Sequence, residues 1–172
     1  MRTMFIILCC ALLGCNGCRD QRESSQADYR DIQEALIESN RRRHQQEDER
    51  IKAFCLEKQW PVSVTGTGLH YWIYEQGTGP KGTNGQVAVV AYTISLMDGK
   101  VCYTADRLHP ARFVIGKDAV ESGLHEVLLL MRTGDKAHLV MPSHLAFGFT
   151  GDSGCIPQES TVIYDLHVLD LE

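Results

Sequence analysis

The sequence of 172 residues lacks an apolar run long enough to cross a bilayer. Its longest, Met4 to Leu13, falls well short of the ~20 residues a spanning helix needs. It also lacks a surplus of positive charge. With 17 Lys+Arg against 22 Asp+Glu, a formal net charge of -5, it has no basic face to displace counterions from phosphates, which argues against a nucleic-acid partner. The single basic cluster, Arg41-Arg42-Arg43-His44, is answered at once by Glu47, Asp48 and Glu49 and reads as a solvated helix face. Paired metal-binding motifs are missing too. The one CxxC, Cys15 to Cys18, has no second pair and no suitably spaced histidines, and the seven histidines are scattered, so neither a metal nor a cofactor is expected.

What is present begins with an export signature. Arg2 precedes the apolar run, and Leu12-Leu13-Gly14-Cys15 resembles a bacterial lipobox, in which a small residue precedes a cysteine that is acylated and becomes the mature N-terminus. The expectation is a signal peptide over 1–14, lipidation of Cys15, and a mature protein held to a membrane in the cell envelope, facing the periplasm or the exterior. Cys9 and Cys10 then leave with the signal. Cys18, Cys55, Cys102 and Cys155 remain, in a compartment where disulfides persist.

From Arg19 to Gln59 there is no proline and no glycine, and Gln, Glu, Arg and Asp dominate, which predicts helix. Apolar residues cluster at Tyr29, Ile32 and Leu36 and again at Ile51, Phe54 and Cys55, around a polar middle. We read residues 15–60 as a lipid-anchored polar spacer that docks at its ends. Trp60-Pro61 stops the helix, and the period then changes. Strands are expected at 69–74, 87–97, 100–103, 112–115, 136–141 and 161–171, with a hairpin turn at Asp98-Gly99. Between them only 118–131 has helical spacing, through Val120, Leu124, Val127 and Leu128. Antiparallel strands around one helix make residues 61–172 an α+β domain.

The residues of that domain resemble a known family. Val89-Val90-Ala91-Tyr92-Thr93, Asp98-Gly99-Lys100, Phe113-Val114-Ile115-Gly116-Lys117, Val120-Glu121-Ser122-Gly123-Leu124, Met131-Arg132-Thr133-Gly134-Asp135-Lys136-Ala137, Pro142-Ser143-His144-Leu145-Ala146-Phe147-Gly148, Ile156-Pro157 and Val162-Ile163-Tyr164-Asp165 follow, in order and with matching gaps, the blocks of the FKBP-type peptidyl-prolyl cis-trans isomerases. Among its members the chain looks like the lipidated, gliding-motility-associated ones of Bacteroidota. The resemblance implies a curved antiparallel sheet wrapped over one short helix, and a rotamase that helps exported, proline-containing polypeptides fold. It also implies that the glycine-rich stretch from Pro142 to Pro157 is the loop overhanging the proline pocket.

Carried over position by position, the resemblance implies pocket walls at Tyr92, Phe113, Val120, Ile156 and Tyr164. Leu124 stands where a tryptophan floor is usual, and Phe147 where a tyrosine hydroxyl would hold a substrate carbonyl. Glu121 replaces an aliphatic residue whose backbone N–H is the part used. Cys102-Tyr103 replaces a Phe-Asp pair, and Ala111 a second phenylalanine. The missing aspartate leaves the polar edge without its acceptor, for which Asp106 is a candidate substitute. These departures imply reduced activity, or a fold kept as a peptide-binding or assembly module without catalysis. Cys102 and Cys155 both match rim positions. They are either two small half-buried thiols or a disulfide that stiffens the loop and gates the pocket.

Overall fold

The structure, a computed structural model, describes residues 17–172, with side chains from residue 29 onward; the expected signal peptide and Cys15 lie outside the described residues. The chain divides into two compact units, meeting between Gln45 and Gln46. Helix α1 spans Gly17–Glu57. From Tyr29 to Gln45 its surface is solvated: Arg42 pairs with Glu38 at 3.0 Å one turn away, and Tyr29, Ile32 and Leu36 are exposed. Among the described residues no helix is long and apolar enough to cross a membrane.

The second unit, Gln46–Glu172, takes in the last part of α1 because Glu47, Ile51 and Cys55 are buried there. Its strands are β1 (Ser63–Val64), β2 (His70–Glu75), β3 (Val87–Leu96), β4 (Val101–Ala105), β5 (Ala111–Val114), β6 (Lys136–Met141) and β7 (Val162–Leu171). They pair antiparallel in the order β1-β2-β6-β7-β3-β4, and β5 also pairs with β3. Strand β3 therefore serves two partners on one edge: Val87–Val90 face β5, while Tyr92–Ser95 face β4. The chain between β4 and β5 is thereby freed from the ladder.

Alternation along the strands sends two sets of side chains to opposite faces. On one face Ala137, Leu139 and Met141 of β6 and Val162, Tyr164, Leu166 and Val168 of β7 join Leu124, Val127 and Leu128 of helix α2 (Ser122–Leu128) in the main core. On the other, Val140 and Ile163 meet Ile51 and Cys55 of α1, with Trp60 packed alongside. Gly123 is the point where α2 touches the sheet; a Cβ there would lie 2.8 Å from Met141 Sδ.

Helix α2 is shorter than the 118–131 expected. Asp118 turns away to accept the Val114 N–H at 2.7 Å, and Glu121 is extended (φ -58, ψ 137), so the helix starts only after it. The two-residue β1 and the 3₁₀ turn Ser143–Leu145 were not expected, since neither has length enough to show a period.

Candidate active site

A cavity of about 610 Å³ opens between α2, the sheet and the 142–157 loop. Its size lies within the ~300–1,000 Å³ usual for small-molecule sites. Strand β3 contributes Tyr92 and Ile94, β4 Tyr103, β5 Ala111, Arg112 and Phe113, and β7 Tyr164. The turn into α2 adds Ala119, Val120 and Glu121, α2 itself Ser122 and Leu124, and the loop Ala146, Phe147 and Asp152. Tyr92 and Tyr164 meet edge to face with ring centroids 5.7 Å apart, a favoured aromatic geometry. Of the residues assigned to the pocket from the sequence, Tyr92, Tyr103, Phe113, Val120, Glu121, Leu124, Phe147, Tyr164 and Ala111 line this one cavity. Ile156 does not; it is 1% exposed and packed into the core, while its N–H donates to Asp152 at 2.9 Å.

The loop is a braced structure. Gly148 and Gly151 adopt positive φ, +63° and +64°, where a side chain would be strained. A Cβ on Gly151 would also strike the Ile156 carbonyl at 2.4 Å. The Gly148 N–H donates to the Ser143 carbonyl at 2.8 Å, and the Gly148 carbonyl accepts from the Glu159 N–H at 2.9 Å. Buried Glu47 holds both roots: it accepts from Ser143 N–H at 2.8 Å, Ser143 Oγ at 3.0 Å and Thr161 Oγ1 at 2.7 Å.

Cys102 and Cys155 form a disulfide, with Cα atoms 5.4 Å apart. This closes the choice left open by the sequence and ties β4 to the loop tip. Beside it the Tyr103 hydroxyl donates to Asp152, whose Oδ1 also accepts the N–H groups of Gly154 at 2.8 Å and Ile156 at 2.9 Å. The Tyr103 hydrogen bond, followed by those N–H bonds, holds the Asp152 carboxyl below the usual range despite opposing desolvation. The acceptor at the pocket's polar edge is therefore Asp152. Asp106 is not among the residues that line the cavity; its Oδ1 accepts the N–H groups of Leu108 at 2.9 Å and His109 at 2.7 Å.

Glu121 sits on the helix side of the cavity. Burial first, then the Glu121 charge and its hydrogen bond, push the Tyr164 hydroxyl far above its ordinary pKa; burial and then Glu121 raise Tyr92 as well. Among the described residues no acceptor meets the Glu121 N–H, which leaves that donor for a ligand carbonyl. His125 braces the turn into α2 instead of lining the cavity: Gly116 N–H donates to its Nδ1 at 2.9 Å, and its Nε2 lies 3.0 Å from the Asp118 carbonyl.

Ile94, Arg112, Ala119, Ser122, Ala146 and Asp152 were missed in the sequence. Ile94 was recoverable by alternation from Tyr92, and Asp152 from the Asp-Ser-Gly turn signal. The others give no signal apart from their neighbours.

Residues 79–169 match the family described as FKBP-type peptidyl-prolyl cis-trans isomerase. The FKBP-type isomerases FkpA of Aeromonas hydrophila and of Escherichia coli K12 are 35% and 36% identical over 116 and 118 residues, 67% of this chain in each case. The chain spans 42% of the length of those relatives. Among solved structures, E. coli FkpA aligns over 94% of this chain and 74% of its own at 28% identity, TM-score 0.65. AtFKBP13 aligns over 64% of this chain and 98% of its own at 29% identity, TM-score 0.61.

Proposed function

The chain belongs to the FKBP-type peptidyl-prolyl cis-trans isomerase family, and from that premise we propose that its cavity binds X-Pro segments and speeds their isomerisation. An amide resists rotation by ~18–20 kcal/mol because resonance makes it partly double-bonded. At X-Pro the isomers are close in free energy, yet uncatalysed exchange takes about tens to hundreds of seconds. No nucleophile or proton donor is needed. The twisted transition state has lost resonance and is less dipolar than the planar amide, so a wall that excludes water favours it. Tyr92, Phe113, Val120, Leu124, Phe147 and Tyr164 form such a wall, and this cavity is the observation that carries the reading.

In finer terms, the enzyme is lipid-anchored through Cys15 in the cell envelope and acts on exported polypeptides. Its activity is reduced. Phe147 brings no hydroxyl, and Ala111 little area. A second reading, a peptide-binding or assembly module without catalysis, is favoured by Cys102, which is committed to a disulfide with Cys155.

Exchange spectroscopy by NMR on a panel of proline peptides tests both. Faster cis-trans exchange with catalytic amounts of the protein supports the isomerase; peptide binding without faster exchange supports the module.

A further inference from the structure

The cavity carries charge that an apolar catalyst does not call for. Two carboxylates line it, Glu121 from the helix side and Asp152 from the loop, against one cation, Arg112. Arg112 is exposed, and its Nη2 lies 2.7 Å from Glu172 Oε2, so its charge is already compensated at the chain end. The groups set against the two carboxylates are neutral: the buried hydroxyl of Tyr164, whose pKa the Glu121 charge helps to raise, and, for Asp152, the hydroxyl of Tyr103 with the N–H groups of Gly154 and Ile156. Such partners orient a carboxylate without cancelling it. The rings they belong to, Tyr164 and Tyr103, are themselves cavity walls, so the charges sit where a bound segment must pass.

We propose that Glu121, assisted by Asp152, is a specificity-determining residue that makes the cavity select segments with lysine or arginine beside the proline and disfavour those with an acidic residue there. The inference rests on the isomerase reading for its substrate class. Three features support it. The cavity, at about 610 Å³, is several times the volume of a prolyl ring and has room for a flanking side chain. With Arg112 paired to Glu172, the remaining charge on its lining is of one sign. Complementary charge in a partly desolvated site contributes more to selection among partners than to raw affinity.

The chain's overall charge of -5 attracts any cationic peptide at long range, so the test separates local from global charge. Peptides with Lys, Gln or Glu immediately before proline, and one with Lys placed remote from it, are compared on the full protein in roughly 0.01 M and roughly 1 M salt, where the screening length falls from about 30 to about 3 Å. The expected order of kcat/KM is Lys, then Gln, then Glu, with a Lys-to-Glu ratio of about fivefold in low salt. The remote Lys should give less. Glu121→Gln should bring the ratio toward one, and Asp152→Asn should lower it. Equal rates for Lys and Glu peptides, an equal advantage from the remote Lys, or a ratio untouched in both variants overturns the proposal. Acceleration of none of the peptides overturns the isomerase reading instead; the order of Kd from the same titrations then decides the charge preference.

Discussion

The hydroxyl of Tyr103 donates to the carboxylate of Asp152, one step along β4 from the disulfide that joins Cys102 to Cys155. A covalent bond and a hydrogen bond thus fasten the same strand to the same loop, over a cavity both elements line. In the family pattern an aspartate stands where Tyr103 is. Here the carboxylate comes from the opposite side, and the strand supplies the donor.

Reducing the disulfide should free the loop. The Cys102–Cys155 bond closes a sequence separation of 53 residues, and such a crosslink contributes about 2–4 kcal/mol to stability. Amides of residues 148–156 should exchange faster with solvent after reduction, and kcat/KM for a proline peptide should fall. Unchanged protection in that segment would show that Gly148, Asp152 and Glu47 hold the loop alone.

Phe147→Tyr should raise activity. The ring is already at the cavity, and a hydroxyl there adds one hydrogen bond to a bound carbonyl, worth ~0.5–1.5 kcal/mol or about two- to tenfold. The gain should appear in kcat/KM. A loss would mean that the hydroxyl is buried without a partner.

Glu47→Ala should destabilise the second unit by about 3 kcal/mol. Glu47 is 6% exposed and accepts from both roots of the loop, Ser143 and Thr161. Removing it leaves those donors buried and unmet. Glu47→Gln keeps an acceptor and should cost less. Urea midpoints of the two variants check the order.

Stability should fall in mild acid. Burial first, against the raising effects of the Gly68 carbonyl and Asp48, keeps His70 below its ordinary pKa; burial, opposed by Asp165, does the same for His138. A histidine with a lowered folded pKa binds fewer protons folded than unfolded. Its contribution is therefore complete above the unfolded value of about 6.5 and is lost as pH drops from there through the folded pKa. Urea midpoints should decline between about pH 7.5 and about pH 5.5. His70→Gln, which cannot titrate, should flatten that slope; an unchanged slope would remove His70 as a cause.

Most of the elements were legible in the sequence because each has a local cause. Strand β6 falls on 136–141 as expected, since Ala137, Leu139 and Met141 alternate with His138 and Val140. The turn at Gly99, φ +87°, was expected from Asp98-Gly99. The family blocks likewise pointed to Tyr92, Phe113, Val120, Leu124, Phe147 and Tyr164, whose types suit an apolar wall.

What the sequence by itself determined was therefore the periodicity, the turns and the chemical type of the walls, all set by residues within a few positions of one another. Tertiary structure alone decided that Asp152 rather than Asp106 supplies the acceptor, because the Tyr103 hydroxyl meets Asp152 at the cavity although Asp106 lies nearer in sequence. It decided that Cys102 and Cys155 are bonded and that Ile156 points inward, and it revealed that Glu47 reaches across to Ser143 and Thr161. Each of these depends on the approach of segments far apart in the chain, and no local propensity encodes such an approach.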